Sequence, residues 1–355
     1  MGEVVVSGTV GAEGAASWRP YAPSFVDRLT DWVRRLPIPA WLFYLLFALF
    51  FVLLFTSMEW LSGSMPMGTF DWSLILGAIT FPYALTLLHY LDDSAQASLD
   101  DFRPIMQIDD AEFSKLRYQF TTLPARPTLV VAGLGALYGV SSLLYIPSDE
   151  TEPFVFVVFF IIFAVSYTAA PLLIYHSIRQ LRMISRAYTS YARVDLFNLP
   201  PMHALSRLTA RTAIGIALLT NAWSITNLLT ASGEALSSSM IEFTIFSALI
   251  AIVFVVPLIG ARRLLREAKA RAKAEASQHL KATVAELYRR REAGDFGEMA
   301  GIKEAMEALQ SHQARLDKIS SWPWQAETLR GVATAILLPV VVWAITRILE
   351  QFWAF

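Results

Sequence analysis

The sequence contains no cysteine, which removes disulfides, thiol nucleophiles, Cys-ligated zinc and Cys-held iron–sulfur clusters from consideration. It is also poor in charge. Only 17% of its 355 residues are Asp, Glu, Lys or Arg, against about 25% in soluble domains. The formal net charge of −1 supplies no basic field for a nucleic-acid backbone, so no nucleic-acid partner is expected. Of its five histidines, His176, His203, His279 and His312 stand alone, without metal-ligand spacing between them. A glycine-rich phosphate loop, a dinucleotide fingerprint, a G-x-S-x-G elbow and an H-E-x-x-H zinc motif are all missing. No inverted repeat supports a transporter, and the centres of the apolar runs carry almost no ionisable residue. A proton-coupled pump or secondary transporter normally places one there, so that class is disfavoured.

What the chain has is apolar length: 55% of it is hydrophobic and its mean hydropathy is +0.46. A helix needs about 20 apolar residues to cross the hydrocarbon of a bilayer. Residues 40–61, 72–91, 128–146, 154–176, 212–231 and 241–261 meet that length, and 331–349 is just long enough. The fold class expected is therefore all-α: a polytopic α-helical membrane protein with six to seven transmembrane helices.

The connections 62–71, 147–153 and 232–240 are short and hold no Lys or Arg. Every Lys and Arg except Arg347 falls on the opposite side. The positive-inside rule makes that side cytoplasmic, with the N-terminus inside and the six runs of 40–261 paired as three hairpins. Lacking an organelle-targeting signal, the chain is assigned to the inner membrane of a bacterium or archaeon. Residues 1–23, rich in Gly, Ala, Ser and Pro, are expected to be disordered. Within 24–39, Phe25, Leu29, Trp32, Val33 and Leu36 share a helical face suited to lying on the inner leaflet.

Past 154–176 the helical stripe continues through Ile178, Leu181, Ile184, Tyr188 and Tyr191. The longest polar stretch is 262–329. Leu265, Ala268, Ala272, Ala276, Leu280, Val284 and Leu287 form a nearly straight helical seam there. Gly294, with an Asp295–Glu298 capping box, ends that helix and starts a second, carrying Ile302, Met306, Leu309, Leu316 and Ile319. The expected product is a cytoplasmic antiparallel helical hairpin resembling a short coiled coil, followed by a C-terminal membrane helix in 330–355. Trp322 and Trp324, around Pro323, are expected to anchor that last helix at the interface, with Pro323 in its first turn.

Three groups of residues are candidate sites. His89, Asp92 and Asp93, at i, i+3 and i+4, present an imidazole and two carboxylates on one helical face, a donor set for a divalent cation. The alternative use of Asp92, Asp93 and the acidic residues that follow is a solvated surface pairing with basic loops. Thr220, Asn221, Ser224 and Asn227 form a polar stripe that either lines a wet pathway or hydrogen-bonds to neighbouring helices. Gly135 and Gly139 form a G-x-x-x-G pair permitting close helix approach within or between chains.

Two functional readings follow. The first is a non-enzymatic homo-oligomer, channel-like or a scaffold or sensor, whose cytoplasmic hairpin couples or assembles it and which needs no cofactor. The second is a membrane-embedded, metal-dependent enzyme acting on a lipid head group or isoprenoid diphosphate at the inner surface. In either, the basic loops are suited to anionic lipid.

Overall fold

A computed structural model describes residues 19–142, 153–230, 234–293, 297 and 299–353. The chain is all-helical. No strand occurs among the described residues, only isolated bridges between Pro23 and Pro124 and between Met106 and Ala192. Among the described residues, five helices are long and apolar enough to cross a membrane: Ala40–Leu61, Trp72–Ile105, Phe156–Tyr191, Ile241–Glu292 and Ala326–Thr346. They make this a multi-pass membrane protein.

Helix α1, Phe25–Arg34, is started by a capping box. The Ser24 hydroxyl caps Asp27 N–H, and the Asp27 carboxylate accepts from Ser24 N–H at 2.8 Å. Its inward face is Val26, Asp27, Thr30 and Val33, whereas Phe25 and Trp32 are exposed. Phe25 and Trp32, on the face read as lying on the inner leaflet, are thus left exposed, while Asp27 turns inward to accept the Leu123 amide, with Val26 and Thr30 on the same side. Residues 19–23, in the tail expected to be disordered, are held as well. Ala22 C=O accepts from Ala125 N–H at 3.1 Å, and Tyr21 donates to Thr122 C=O at 2.9 Å. The rest of that tail, residues 1–18, lies outside the described residues.

After a turn containing Pro37 and Pro39, α2 runs Ala40–Leu61 and α3 runs Trp72–Phe102. Asp71 caps α3 by accepting from Ser73 N–H at 2.6 Å. At 31 residues α3 outlasts a bilayer crossing, and its final turns belong to the soluble side. Short α4, Asp110–Thr121, leads to α5, Ala125–Ser142, where description stops short of the end of the expected run 128–146.

The expected run 154–176 is not one straight helix. α6, Pro153–Ser166, ends in a turn at Tyr167 and Thr168, and α7, Ala169–Arg186, begins after it. Pro171 explains the break, because its ring excludes the carbonyl four residues earlier, that of Tyr167. α5 uses the exposed backbone. A Cβ on Gly135 would stand 2.7 Å from Tyr167 O and 2.9 Å from Thr168 Cα, and one on Gly139 would strike Phe163 O. The G-x-x-x-G pair therefore serves close approach within the chain. α7 closes in a π-helical turn, Ala187–Tyr191, so the helical path does extend past Arg179 and Arg182.

α8, Pro200–Thr230, contains the expected run 212–231 up to residue 230. α9, Glu234–Val255, passes through a tight turn at Pro257 into α10, Ile259–Glu292. α11, Met299–Lys318, lies against α10: Lys269 Nζ donates to Asp317 C=O at 2.9 Å and Ile319 C=O at 2.7 Å, and Lys273 pairs with the Asp317 carboxylate. That carboxyl is held below its usual range by the Lys273 hydrogen bond. Leu265, Ala276 and Leu316 are buried, while Leu280, Val284, Leu287, Ile302, Met306 and Leu309 are half-buried. The expected break with its Asp295–Glu298 capping box falls on 294–296 and 298, outside the described residues.

The last helix, α12, is Ala326–Trp353, so Pro323 precedes it rather than occupying its first turn. The Trp322 and Trp324 rings stack at 4.2 Å, Trp324 meets Phe254 at 5.4 Å, and the Arg262 guanidinium sits 3.6 Å above Trp322. Pro323 is withdrawn from the helix because its own C=O pairs with His203 Nδ1 at 2.8 Å. The Trp-Pro-Trp segment is thereby tied to α8, α9 and α10.

The core is densest at the basic-loop ends of the spans. Leu88, Leu91, Ala95, Leu99 and Phe102 of α3 face Met202, Leu205 and Leu208 of α8, with Ile184 and Tyr188 between them, all almost inaccessible. A second, smaller cluster (Phe51, Phe55, Met58, Ala78, Phe159 and Ile162) lies towards the opposite ends.

Candidate functional site

Polar side chains within this core converge where α1, α2, α3, α7 and α8 meet. Asp92 of α3 places Oδ1 2.9 Å from His176 Nε2 of α7, and both residues are buried. The two groups hold a proton between them in a hydrogen bond of ordinary length. Beyond it, His176 Nδ1 and the hydroxyl of the adjacent Ser177 are buried without a hydrogen-bond partner. One turn further along α7, Gln180 donates to Leu91 C=O at 3.4 Å and accepts from the Thr212 hydroxyl at 3.5 Å. The three helix ends are thus pinned by polar contacts through an otherwise apolar core.

A second chain of contacts runs outward from His89. Its Nδ1 meets the Tyr44 hydroxyl at 3.0 Å, and its Nε2 lies 3.7 Å from Asp93 Oδ2, beyond direct hydrogen-bonding distance. Asp93 Oδ1 accepts from Arg34 at 2.6 Å, and Arg34 also reaches Asp31 at 3.1 Å. The sequence set His89, Asp92 and Asp93 is therefore divided: Asp92 turns to His176, Asp93 to Arg34 and His89 to Tyr44. Among the described residues no group of three His, Asp or Glu side chains is arranged to hold a metal ion.

The acidic residues that follow are engaged by basic partners. Asp101 pairs with Arg207 at 2.6 Å, Asp110 with Arg103 at 2.8 Å and Asp100 with Arg117 at 3.5 Å, while Asp109 caps α4. The N-terminal strap closes the same region. Tyr118 donates to Tyr21 C=O at 2.8 Å, and Arg179 donates to Tyr21 Oη and to Gln119 C=O. Burial raises the Tyr21 phenol to about 12. Burial also raises Asp27 to about 6, outweighing the Ser24 and Leu123 hydrogen bonds that favour its ionised form.

The polar stripe of α8 is turned mainly towards other helices. Asn221 donates to Ala335 C=O of α12 at 2.6 Å, and Asn227 reaches Glu242 of α9 at 3.4 Å. Thr220 bonds back to Ile216 C=O of its own helix, and Ser224 is buried. A separate cavity of about 1060 Å³ lies between residues 104–107, residues 192–198 and α10, with Arg193, Arg271, Asp195 and Glu275 on its walls.

Sequence spacing missed His176, Gln180, Tyr44 and Arg34. Each reaches its partner across 45 to 89 residues. The one available signal was a histidine at the end of an apolar run, with a second histidine and an Asp pair at the end of another. No protein-family model matches the chain, and neither curated proteins nor solved structures yield a match to it.

Proposed function

We propose that this is a non-enzymatic membrane scaffold that assembles as a homo-oligomer, with α10 and α11 as its cytoplasmic coupling hairpin. The observation that carries this reading is the gradient along the α10–α11 seam. At its base Leu265, Ala276 and Leu316 are buried and the half-buried Ala268, Ala272 and Ile319 pack against the main core, whereas the outer positions are half-buried without that backing and Tyr288 is 55% exposed. Two helices cannot enclose such a seam alone, and a second hairpin laid against its outer half would complete a four-helix arrangement.

How the other candidates are used supports the same choice. Asn221 and Asn227 spend their amides on neighbouring helices rather than on a wet pathway, and the donors required by a metal-dependent enzyme are committed to Tyr44, His176 and Arg34. On this reading the chain has six to seven crossings, with α5 and α8 contributing those beyond the five helices that qualify by length and composition. The basic side faces the cytoplasm, and the inner membrane is the location.

The test replaces residues 268–319 with a short linker and weighs the particle in nanodiscs by light scattering. Loss of subunits is expected. An unchanged subunit number would refute the hairpin's role in assembly.

A further inference from the structure

On the outer surface of the bundle, α3 and α8 leave a groove of about 360 Å³, lined chiefly by Tyr83, Leu87, Tyr90, Arg211, Ile214 and Leu218. Its walls are apolar except at one end, where Arg211 and Tyr90 stand. The position of that end along the spans is fixed by charge. α8 has no Asp, Glu, Lys or Arg from Thr212 to Thr230, and α3 has none from Trp72 to Leu91. Asp92 and Asp93 begin immediately beyond, and Arg207, one turn before Arg211, already pairs with Asp101. Arg211 thus lies at the level where hydrocarbon gives way to head groups.

Unlike Arg207, Arg211 has no hydrogen-bond or ion-pair partner among the described residues, and neither does the Tyr90 hydroxyl. The Tyr83 hydroxyl is already committed to Gly215 C=O at 2.8 Å. An arginine at the edge of hydrocarbon requires an anion or water. Here it sits at the mouth of an apolar channel, with one phenolic donor beside it. A phosphate group matches the guanidinium fork, and an acyl chain matches Leu87, Ile214 and Leu218.

We propose that this groove binds one anionic phospholipid, its phosphate on Arg211 and Tyr90 and an acyl chain between α3 and α8. The site is independent of the assembly role assigned to α10 and α11. It also differs from diffuse attraction to basic loops, because it combines one unpaired cation with a shaped apolar channel.

The test uses the full chain in detergent, titrated with short-chain phosphatidylglycerol, short-chain phosphatidylcholine and inorganic phosphate, with bound copies counted by native mass spectrometry. One phosphatidylglycerol per chain is expected, bound more tightly than phosphatidylcholine. Arg211→Gln should weaken it about fivefold, the equivalent of one interfacial charge, Arg211→Lys should restore most of the affinity, and Leu218→Trp, which fills the channel, should also weaken it. Arg193→Gln, in a basic loop outside the groove, should leave it unchanged.

Equal binding of phosphatidylcholine would overturn the proposal, as would equal loss in Arg193→Gln or displacement of the lipid by millimolar inorganic phosphate. If Arg211→Gln does not fold, undiminished binding to Leu218→Trp would overturn it equally.

Discussion

The two halves of α3 behave as different kinds of helix. Towards its start Trp72 is 77% exposed, whereas Leu85, Leu88, Leu91, Ala95, Leu99 and Phe102 near its end are at most 2% exposed. α8 shows the same polarity, with Met202, Leu205, Leu208 and Ala213 sealed at its basic end. Lipid tails solvate apolar side chains as well as leucine does, so a span inside the bilayer gains little hydrophobic free energy by burying more of them. Where the same helices emerge into water, each Å² removed contributes about 25 cal/mol. The packing that selects one arrangement of the helices is therefore concentrated at and beyond the basic face. The polar network through Asp92, His176, Gln180 and Thr212 is found in that region.

The sharpest way to break this contrast is a pair of phenylalanine truncations. Phe102→Ala should cost about 3–5 kcal/mol, because Phe102 packs edge-on to Tyr188 at 5.3 Å in a closed core. Phe50→Ala, at a position 56% exposed and facing lipid, should change stability by less than about 0.5 kcal/mol. Thermal unfolding in one detergent compares them, and similar losses would remove the distinction between the halves.

A somewhat smaller effect is expected at the buried pair. Asp92→Ala leaves His176 without its only side-chain polar contact among the described residues and should cost about 3 kcal/mol. The double variant with His176→Ala should cost clearly less than the sum of the two single losses, since each removes the same interaction. Additivity in the melting data would mean that the 2.9 Å contact stabilises nothing.

Asn221→Leu should cost only about 1 kcal/mol for its lost bond to Ala335 C=O, and should leave ion flux into liposomes at the level of wild type. A changed flux would return the α8 stripe to the role of a pore lining.

The smallest effect sharpens the comparison at the strap. The folded chain holds the Asp27 proton more tightly than the unfolded chain, with a pKa of about 6 against an ordinary 3.8. The stability this contributes is complete below 3.8 and is lost as pH rises through about 6. Lowering pH from 7 to 5 should therefore raise the melting temperature of wild type relative to Asp27→Asn, by about 2 °C. A difference that does not change with pH would place the proton elsewhere.

Much of the helical framework was legible because span length and charge asymmetry are properties of one segment at a time. The run 72–91 within α3 could be read from apolar length and the continuation of α7 to its π-helical turn from periodicity, but not the extension of α3 to Phe102. Faces were harder to read. Apolar spacing put Phe25 and Trp32 on a face for the inner leaflet, but carried no sign that the Leu123 amide would draw Asp27 to the inward side of α1. The G-x-x-x-G pair was visible in the sequence, but not that Gly135 and Gly139 would meet the backbone exposed by the break before Pro171. His176 stood alone in sequence because its partner, Asp92, lies 84 residues away on another span. Spacing along one helix identifies which side chains share a face. It carries no information about what stands opposite.

The measurement closest to the central claim is the subunit count of the full chain in lipid nanodiscs, by native mass spectrometry with and without divalent cation. A single defined oligomer, unchanged by the cation, is expected if α10 and α11 assemble a scaffold. A monomer under both conditions, or one that takes up the cation, would contradict it.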